Sequence, residues 1–295
     1  MMRRIESPED EALDPFRSIK DRHRRADGGR FVVESPRCVS RFLDAVQAGW
    51  FEVETLLGDP ERCPEVMEVA TGLGASVLSS DESVMTEASG YHFHAGCLAI
   101  GIRPDRPPDL ERLVDRVRDG RPGRRVLVGM AGITSMDNMG GIFRSAAALG
   151  ADGLLLDHAC ADPLLRRCIR ISMGQVFRVD WASTPSLPKA IERLREEHGF
   201  GTIALENLPD APLLTSLAGT ADPDRIDDRI PDHVMVVVGN EGHGLGREVL
   251  EACDTIRRIE GPPSLPGNER PGASDERSLN AATAAAIAMH HLLHA

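Results

Sequence analysis

The sequence predicts an α/β protein in two parts, and three observations carry that reading. Strand-like and helix-like segments alternate along the chain, which is the pattern of α/β architecture. Apolar runs without alternation, such as MVVVG at 235–239, suit strands of a parallel sheet covered on both faces. A stretch at 104–124 holds four prolines and two glycines around a short amphipathic segment, 110–118, and reads as a linker. With 295 residues, 41% of them hydrophobic, the chain is long enough for one large domain or two ordinary ones with real cores.

Taken in order, residues 1–15 are polar and acidic and are expected to form a disordered leader with no signal peptide. Residues 16–103 are expected to form a compact α/β domain. Its strands fall at 31–34, 53–57, 75–78 and 96–102, with a helix opened by Ser35-Pro36 and another at 64–73. Pro36 sits where a first helical turn tolerates proline, and Gly49 where a helix ends. Beyond the linker, residues 125–295 form a second domain. Its strands are expected at 126–129, 153–157, 176–179, 202–205, 234–239 and 255–259, with helices between most of them. The last helix, 279–293, is rich in alanine, the strongest helix former. The segments 207–232 and 260–277 are irregular and rich in proline, glycine or aspartate.

The net charge is −12, which weighs against a nucleic-acid partner unless a basic face is set apart from the acidic stretches. Arginine carries nearly all the positive charge, since Lys20 and Lys189 are the only lysines; its fork suits phosphate, and a codon bias toward arginine accounts for the same excess. The basic run at 17–30, with Arg22, Arg24, Arg25 and Arg30, is the candidate nucleic-acid contact, with a solvated surface as its plain alternative. Six cysteines stand without any C-x-x-C pair, so zinc ribbons and redox motifs are not expected, and a reducing cytoplasm fits free thiols. His92 and His94 alternate as strand residues do but lack an evident third ligand, so no metal is expected. No apolar run is long enough to span a membrane.

Three segments carry candidate chemistry. Asn138 to Gly150 (NMGGIFRSAAALG) follows a strand and enters a helix, with two glycines that admit a close ligand, Asn138 at the helix start and Arg144 two turns on. It lacks the G-x-G-x-x-G order of a dinucleotide turn. Val236 to Gly246 (VVVGNEGHGLG) is a buried strand ending in a glycine-rich turn that holds Glu241, at the strand end where open α/β sheets bind ligands. Arg277 to Ile287 (RSLNAATAAAI) places Ser278 and Asn280 at a helix start. Singly, each also has a plain structural reading: a capped helix, a tight turn, a well-capped helix.

In combination, and in this order, the three segments resemble the SpoU (TrmH-type) branch of the SPOUT RNA methyltransferases. The first is similar to that family's N-x-G-x-x-x-R-x-A motif, the second to its strand-Gly-x-Glu-Gly-x-Gly motif, and the third to its S-L-N-x-x-x-A-x-x-I motif. The run RISMGQVFRV at 170–179 resembles a segment between the first two. The resemblance covers about residues 125–295, and residues 16–103 look like the family's smaller substrate-binding domain. The chain departs from the pattern after Ile259, where a longer link, 260–277, replaces a short I-P-M-like turn.

The resemblance implies a C-terminal α/β-knot domain, a mostly parallel sheet with a deep trefoil knot, a topology otherwise nearly absent from proteins. It implies S-adenosylmethionine as cofactor, held by Gly239, Asn240, Ile259 and Leu279. Asn138, Arg144, Glu241, Ser278 and Asn280 would line the reaction site, with Arg144 also touching RNA. The implied activity is methyl transfer to a ribose 2′-hydroxyl of RNA, rRNA ahead of tRNA, by a homodimer. The alternative is a non-catalytic RNA-binding protein of the same fold.

Overall fold

The computed structural model describes residues 2–17, 29–90, 96–104, 108–119, 123–217, 229–261 and 278–295. In chain order its elements are β1 (Met2–Arg4), β2 (Arg30–Glu34), α1 (Pro36–Gln47), β3 (Glu52–Gly58), α2 (Pro64–Gly72), β4 (Ser76–Ser79), α3 (Glu82–Ser89) and β5 (Cys97–Ile102). There follow α4 (Leu110–Asp119), β6 (Arg125–Ala131), α5 (Met136–Leu149), β7 (Gly153–Asp157), α6 (Arg166–Ile171), β8 (Trp181–Thr184) and α7 (Leu187–Glu196). The chain closes with β9 (Gly201–Leu205), β10 (His233–Gly239), α8 (Arg247–Ala252), β11 (Thr255–Arg257) and α9 (Ala281–His294). Contacts divide it into two compact units, residues 1–107 with 162–178 and residues 108–161 with 179–295.

The first unit is built on a five-stranded sheet of order β1-β4-β3-β5-β2, with β2 and β3 antiparallel to β5 and the other pairs parallel. α1 forms as its sequence dictates: Pro36 opens it, Cys38, Val39, Phe42, Leu43 and Ala45 bury one stripe, and Gly49 stands just past its end at φ +76. The expected disordered leader is not found. β1 pairs with β4, and Ile5, Leu13 and Phe16 are among the most deeply buried residues of this unit. Three apolar side chains anchor a segment whose average composition is polar, because its acidic residues stay at the surface.

A second departure concerns 162–178, which lies in the methyltransferase-like part of the sequence but packs within the first unit. The Arg166 guanidinium pairs with Glu34 at 2.6 Å, and Phe177 joins Phe31, Phe42 and Phe51, with Phe177 5.3 Å from Phe42 by ring centroids. The strand expected at 176–179 is therefore a single 3-10 turn, Gln175–Phe177, and the strand starts later, at Trp181. Burying one phenylalanine in such a cluster is worth roughly 1.5–3 kcal/mol.

The second unit is a six-stranded sheet of order β11-β9-β10-β6-β7-β8 in which every pair is parallel. β6 is buried along its whole length, as expected of a strand covered on both faces. On one face α4, α7 and α8 pack Leu113, Val117, Ile191, Leu194 and Val249 against Leu127, Leu155 and Val237. α5 and α9 pack on each other, and α9 also lies on β6 and β10. α4 was expected within the linker; its Leu110, Leu113, Val114 and Val117 are buried, so it is a structural member of this unit. No helix among the described residues is long and apolar enough to cross a membrane.

Candidate active site

All strands of the second sheet run the same way, so β6, β7, β9 and β10 deliver their carboxyl ends to one edge. Two carboxylates, one ending β7 and one just past β9, brace the loops there. Asp157 accepts the Gly132 and Ala159 N–H groups at 3.0 and 2.9 Å. Glu206 accepts the Leu245 N–H at 2.7 Å and lies against Gly244, whose φ of +64 favours glycine. Both were missed in the sequence, where the usable signal was an acidic residue directly after an apolar run (GLLLD, TIALE).

The turn after β10 closes on itself. A Cβ on Gly239 would stand 2.5 Å from the carbonyl carbon of Gly244, so only glycine fits. The Asn240 side chain donates to the Gly132 carbonyl at 2.9 Å and accepts the Gly242 N–H at 2.8 Å. Its amide is thereby spent on tying this turn to the one after β6. What Gly239 and Asn240 still offer a ligand is backbone.

The three motifs meet at Asn280. Its Nδ2 donates to Asn138 Oδ1 at 2.7 Å and to Glu241 Oε1 at 2.6 Å, while its Oδ1 accepts the Ala282 and Thr283 N–H groups. Asn280 is therefore both the N-cap of α9 and the link between the other two segments. Glu241 Oε1 also accepts the Ala281 N–H at 3.3 Å, so the carboxylate sits at the positive end of the α9 dipole. Asn138 is not the cap of α5. Ser135 is, and Asn138 lies inside the first turn, only 5% exposed. Glu241 Oε2 and Asn138 Nδ2 make no hydrogen bond to any described residue and remain available. α5 and α9 approach closely here, since a Cβ on Gly141 would lie 3.0 Å from that of Ala282.

The other expected residues are placed less tightly. Arg144 is exposed on α5 with no ion pair or hydrogen bond among the described residues. Six residues from Asn138 is about 600° of helical turn, which puts the two side chains on different faces. Ser278 is exposed, Leu279 is 46% exposed, and Ile259 is half-buried beyond β11. Arg30 pairs with Glu54 at 2.6 Å in the first unit, and that carboxylate raises its pKa. Arg22, Arg24, Arg25, His92, His94 and most of 260–277 lie outside the described residues. Glu111, Glu197 and His198 come within 4.8 Å of one another, but Arg193 already bridges the two carboxylates, as expected of a surface ion-pair network.

Residues 125–290 match the model of the SpoU rRNA Methylase family. The uncharacterised tRNA/rRNA methyltransferase of Mycobacterium bovis is 31% identical over 287 residues, 96% of this chain and 88% of that protein. The crystal structure of an AdoMet-bound rRNA methyltransferase from Sinorhizobium meliloti superposes with a TM-score of 0.74 at 20% identity, covering 99% of this chain and 97% of that one. A crystal structure of an RNA 2′-O ribose methyltransferase superposes with a TM-score of 0.67 at 25% identity, covering 99% of this chain and 98% of that one.

Proposed function

The chain belongs to the SpoU rRNA methylase family, and from that premise we propose that it transfers a methyl group from S-adenosylmethionine to a ribose 2′-hydroxyl of RNA, rRNA ahead of tRNA. The observation that carries the reading is the Asn280 hub, which joins residues from three distant motifs at one end of the sheet. Likeness to an RNA 2′-O ribose methyltransferase over nearly the whole chain supports the ribose hydroxyl as acceptor.

The residues present fit the cofactor. Backbone groups of Gly239 and Asn240 stand at a parallel-strand end, and the exposed Leu279 and half-buried Ile259 offer apolar surface for a nucleoside. Glu241 supplies a negative charge, the sign that suits a cationic donor. When bound, S-adenosylmethionine supplies a methyl group on a positively charged sulfur. The protein's share is positioning, because holding the hydroxyl in line with the donor contributes several kcal/mol by itself. Arg144 stays protonated and so grips a phosphate beside the target ribose rather than taking the hydroxyl proton. The free Asn138 Nδ2 orients the ribose, and Asn280 fixes Asn138 and Glu241 in register. A homodimer, a knotted C-terminal passage and a cytoplasmic setting belong to the same reading, with Ile287, 40% exposed on α9, as apolar surface for a second copy.

Transfer of labelled methyl groups into total cellular RNA, wild type beside Arg144→Ala, tests the reading. Label in wild type alone, resistant to alkaline cleavage at one position, is the expected result. Retained cofactor binding with no label in any RNA would leave the non-catalytic RNA-binding alternative.

A further inference from the structure

The first unit carries an arrangement of charge that the active site does not use. In this unit Arg3, Arg4, Arg17, Arg30, Arg62, Arg103 and Arg166 each have a carboxylate partner. Arg37, Arg41 and Arg170 have none within ion-pair distance among the described residues. They are gathered in one place. Arg37 and Arg41 are one turn apart on α1, about 5–6 Å between Cβ atoms. The turn at 170–178 is pressed onto this helix: a Cβ on Gly174 would lie 3.1 Å from the Cys38 Cα, and the Met173 carbonyl accepts the Arg41 guanidinium. Arg170, exposed, stands at the end of α6 where the chain enters that turn, and Arg178 leaves it by pairing with Asp44 at 2.9 Å, one further helical turn along α1. Burial and the neighbouring Arg178 and Arg37 charges hold the Arg41 pKa below its ordinary value. Of these four arginines only Arg178 has a carboxylate partner, Asp44, among the described residues, in a chain whose net charge is −12.

Guanidinium groups left unpaired and crowded together cost folding energy, and a phosphate chain relieves that cost with forked hydrogen bonds. We propose that the face formed by Arg37, Arg41, Arg170 and Arg178 binds the phosphate backbone of the RNA substrate. This rests on the RNA methyltransferase reading above. The contact is independent of base sequence and sets where the RNA lies rather than which nucleotide reacts.

The test is binding of a labelled stem-loop RNA to the full chain as a function of salt. Arg37→Gln/Arg170→Gln removes two exposed cations that make no hydrogen bond to a described residue, and Arg112→Gln/Arg118→Gln on α4 is the charge-matched control. The proposal expects the first variant to weaken binding by about tenfold or more and to lower the slope of log Kd against log salt by about 1.4–1.8, the loss of two phosphate contacts. S-adenosylmethionine affinity and thermal stability should match wild type. Wild-type binding with an unchanged variant slope, or an equal loss in the control, would overturn the proposal alone. No RNA binding by wild type would overturn it together with the reading it rests on.

Discussion

Removing the side chain at Asn280 tests the hub directly. Asn280→Ala deletes the N-cap of α9, which costs about 1 kcal/mol. It also leaves the Oδ1 of Asn138 without its donor in a nearly closed site, which costs about 1–3 kcal/mol. Glu241 is exposed and is rehydrated at little cost. The sum is roughly 2–4 kcal/mol, a fall in Tm of roughly 5–12 °C for a unit of this size. Asn280→Asp separates structure from chemistry. A carboxylate still accepts the Ala282 and Thr283 N–H groups, so the cap survives, but it faces Asn138 Oδ1 and Glu241 Oε1 with an acceptor where a donor stood. Two carboxylates at that separation raise each other's proton affinity. The folded state then holds a proton that the unfolded state releases. The Asp variant should be least stable above neutral pH and recover as pH falls. Calorimetry across pH for both variants, with methyl transfer beside it, is the assay. An Asp variant with wild-type stability at pH 8, or an Ala variant within about 0.5 kcal/mol of wild type, would show that the hub does not join the three motifs.

Four further outcomes follow from the same geometry. Arg144→Lys should fold within about 0.5 kcal/mol of wild type yet lose about 100-fold or more in kcat/KM, because an ammonium lacks the fork; near-normal turnover would refute the phosphate grip. Gly239→Ala forces a Cβ against the Gly244 backbone, so titration calorimetry should find S-adenosylmethionine binding lost while the sheet still melts cooperatively. Gly141→Ala meets Ala282 at 3.0 Å, and the helical preference for alanine, about 1 kcal/mol, offsets part of the overpacking; a net loss of about 0–2 kcal/mol is expected in chemical denaturation. Burial first, then a neighbouring aspartate, pushes the Cys160 and Cys253 thiols up to about 12. The unfolded chain ionises them above about pH 8.5, so stability should fall as pH rises from there toward 12, and native protein at pH 8 should resist thiol labelling at both positions.

Much of the molecule was legible in its sequence. The parallel sheet showed in uninterrupted apolar runs, because strands covered on both faces have no polar side to alternate. Capping residues marked α1 and α9, and three short motifs marked the loops at the strand ends. Other features escaped for physical reasons. Residues 1–15 read as disordered because composition averages over a segment, whereas the buried side chains of Ile5 and Leu13, with Phe16 just beyond them, suffice to dock it. The stretch at 176–179 read as a strand because Val176, Phe177 and Val179 are apolar, and only an aromatic cluster assembled from β2, α1 and residue 51 shows why it turns instead. Its membership of the first unit, and with it the gathering of Arg37, Arg41, Arg170 and Arg178, depends on contacts more than 120 residues apart along the chain. Sequence alone determined which residue types stand at strand ends and helix starts, since local backbone chemistry selects glycine, asparagine and serine there. Tertiary structure decided that one asparagine amide would tie Asn138, Glu241 and α9 together, because a side-chain hydrogen bond of 2.6–2.7 Å exists only once packing has brought its two ends into place.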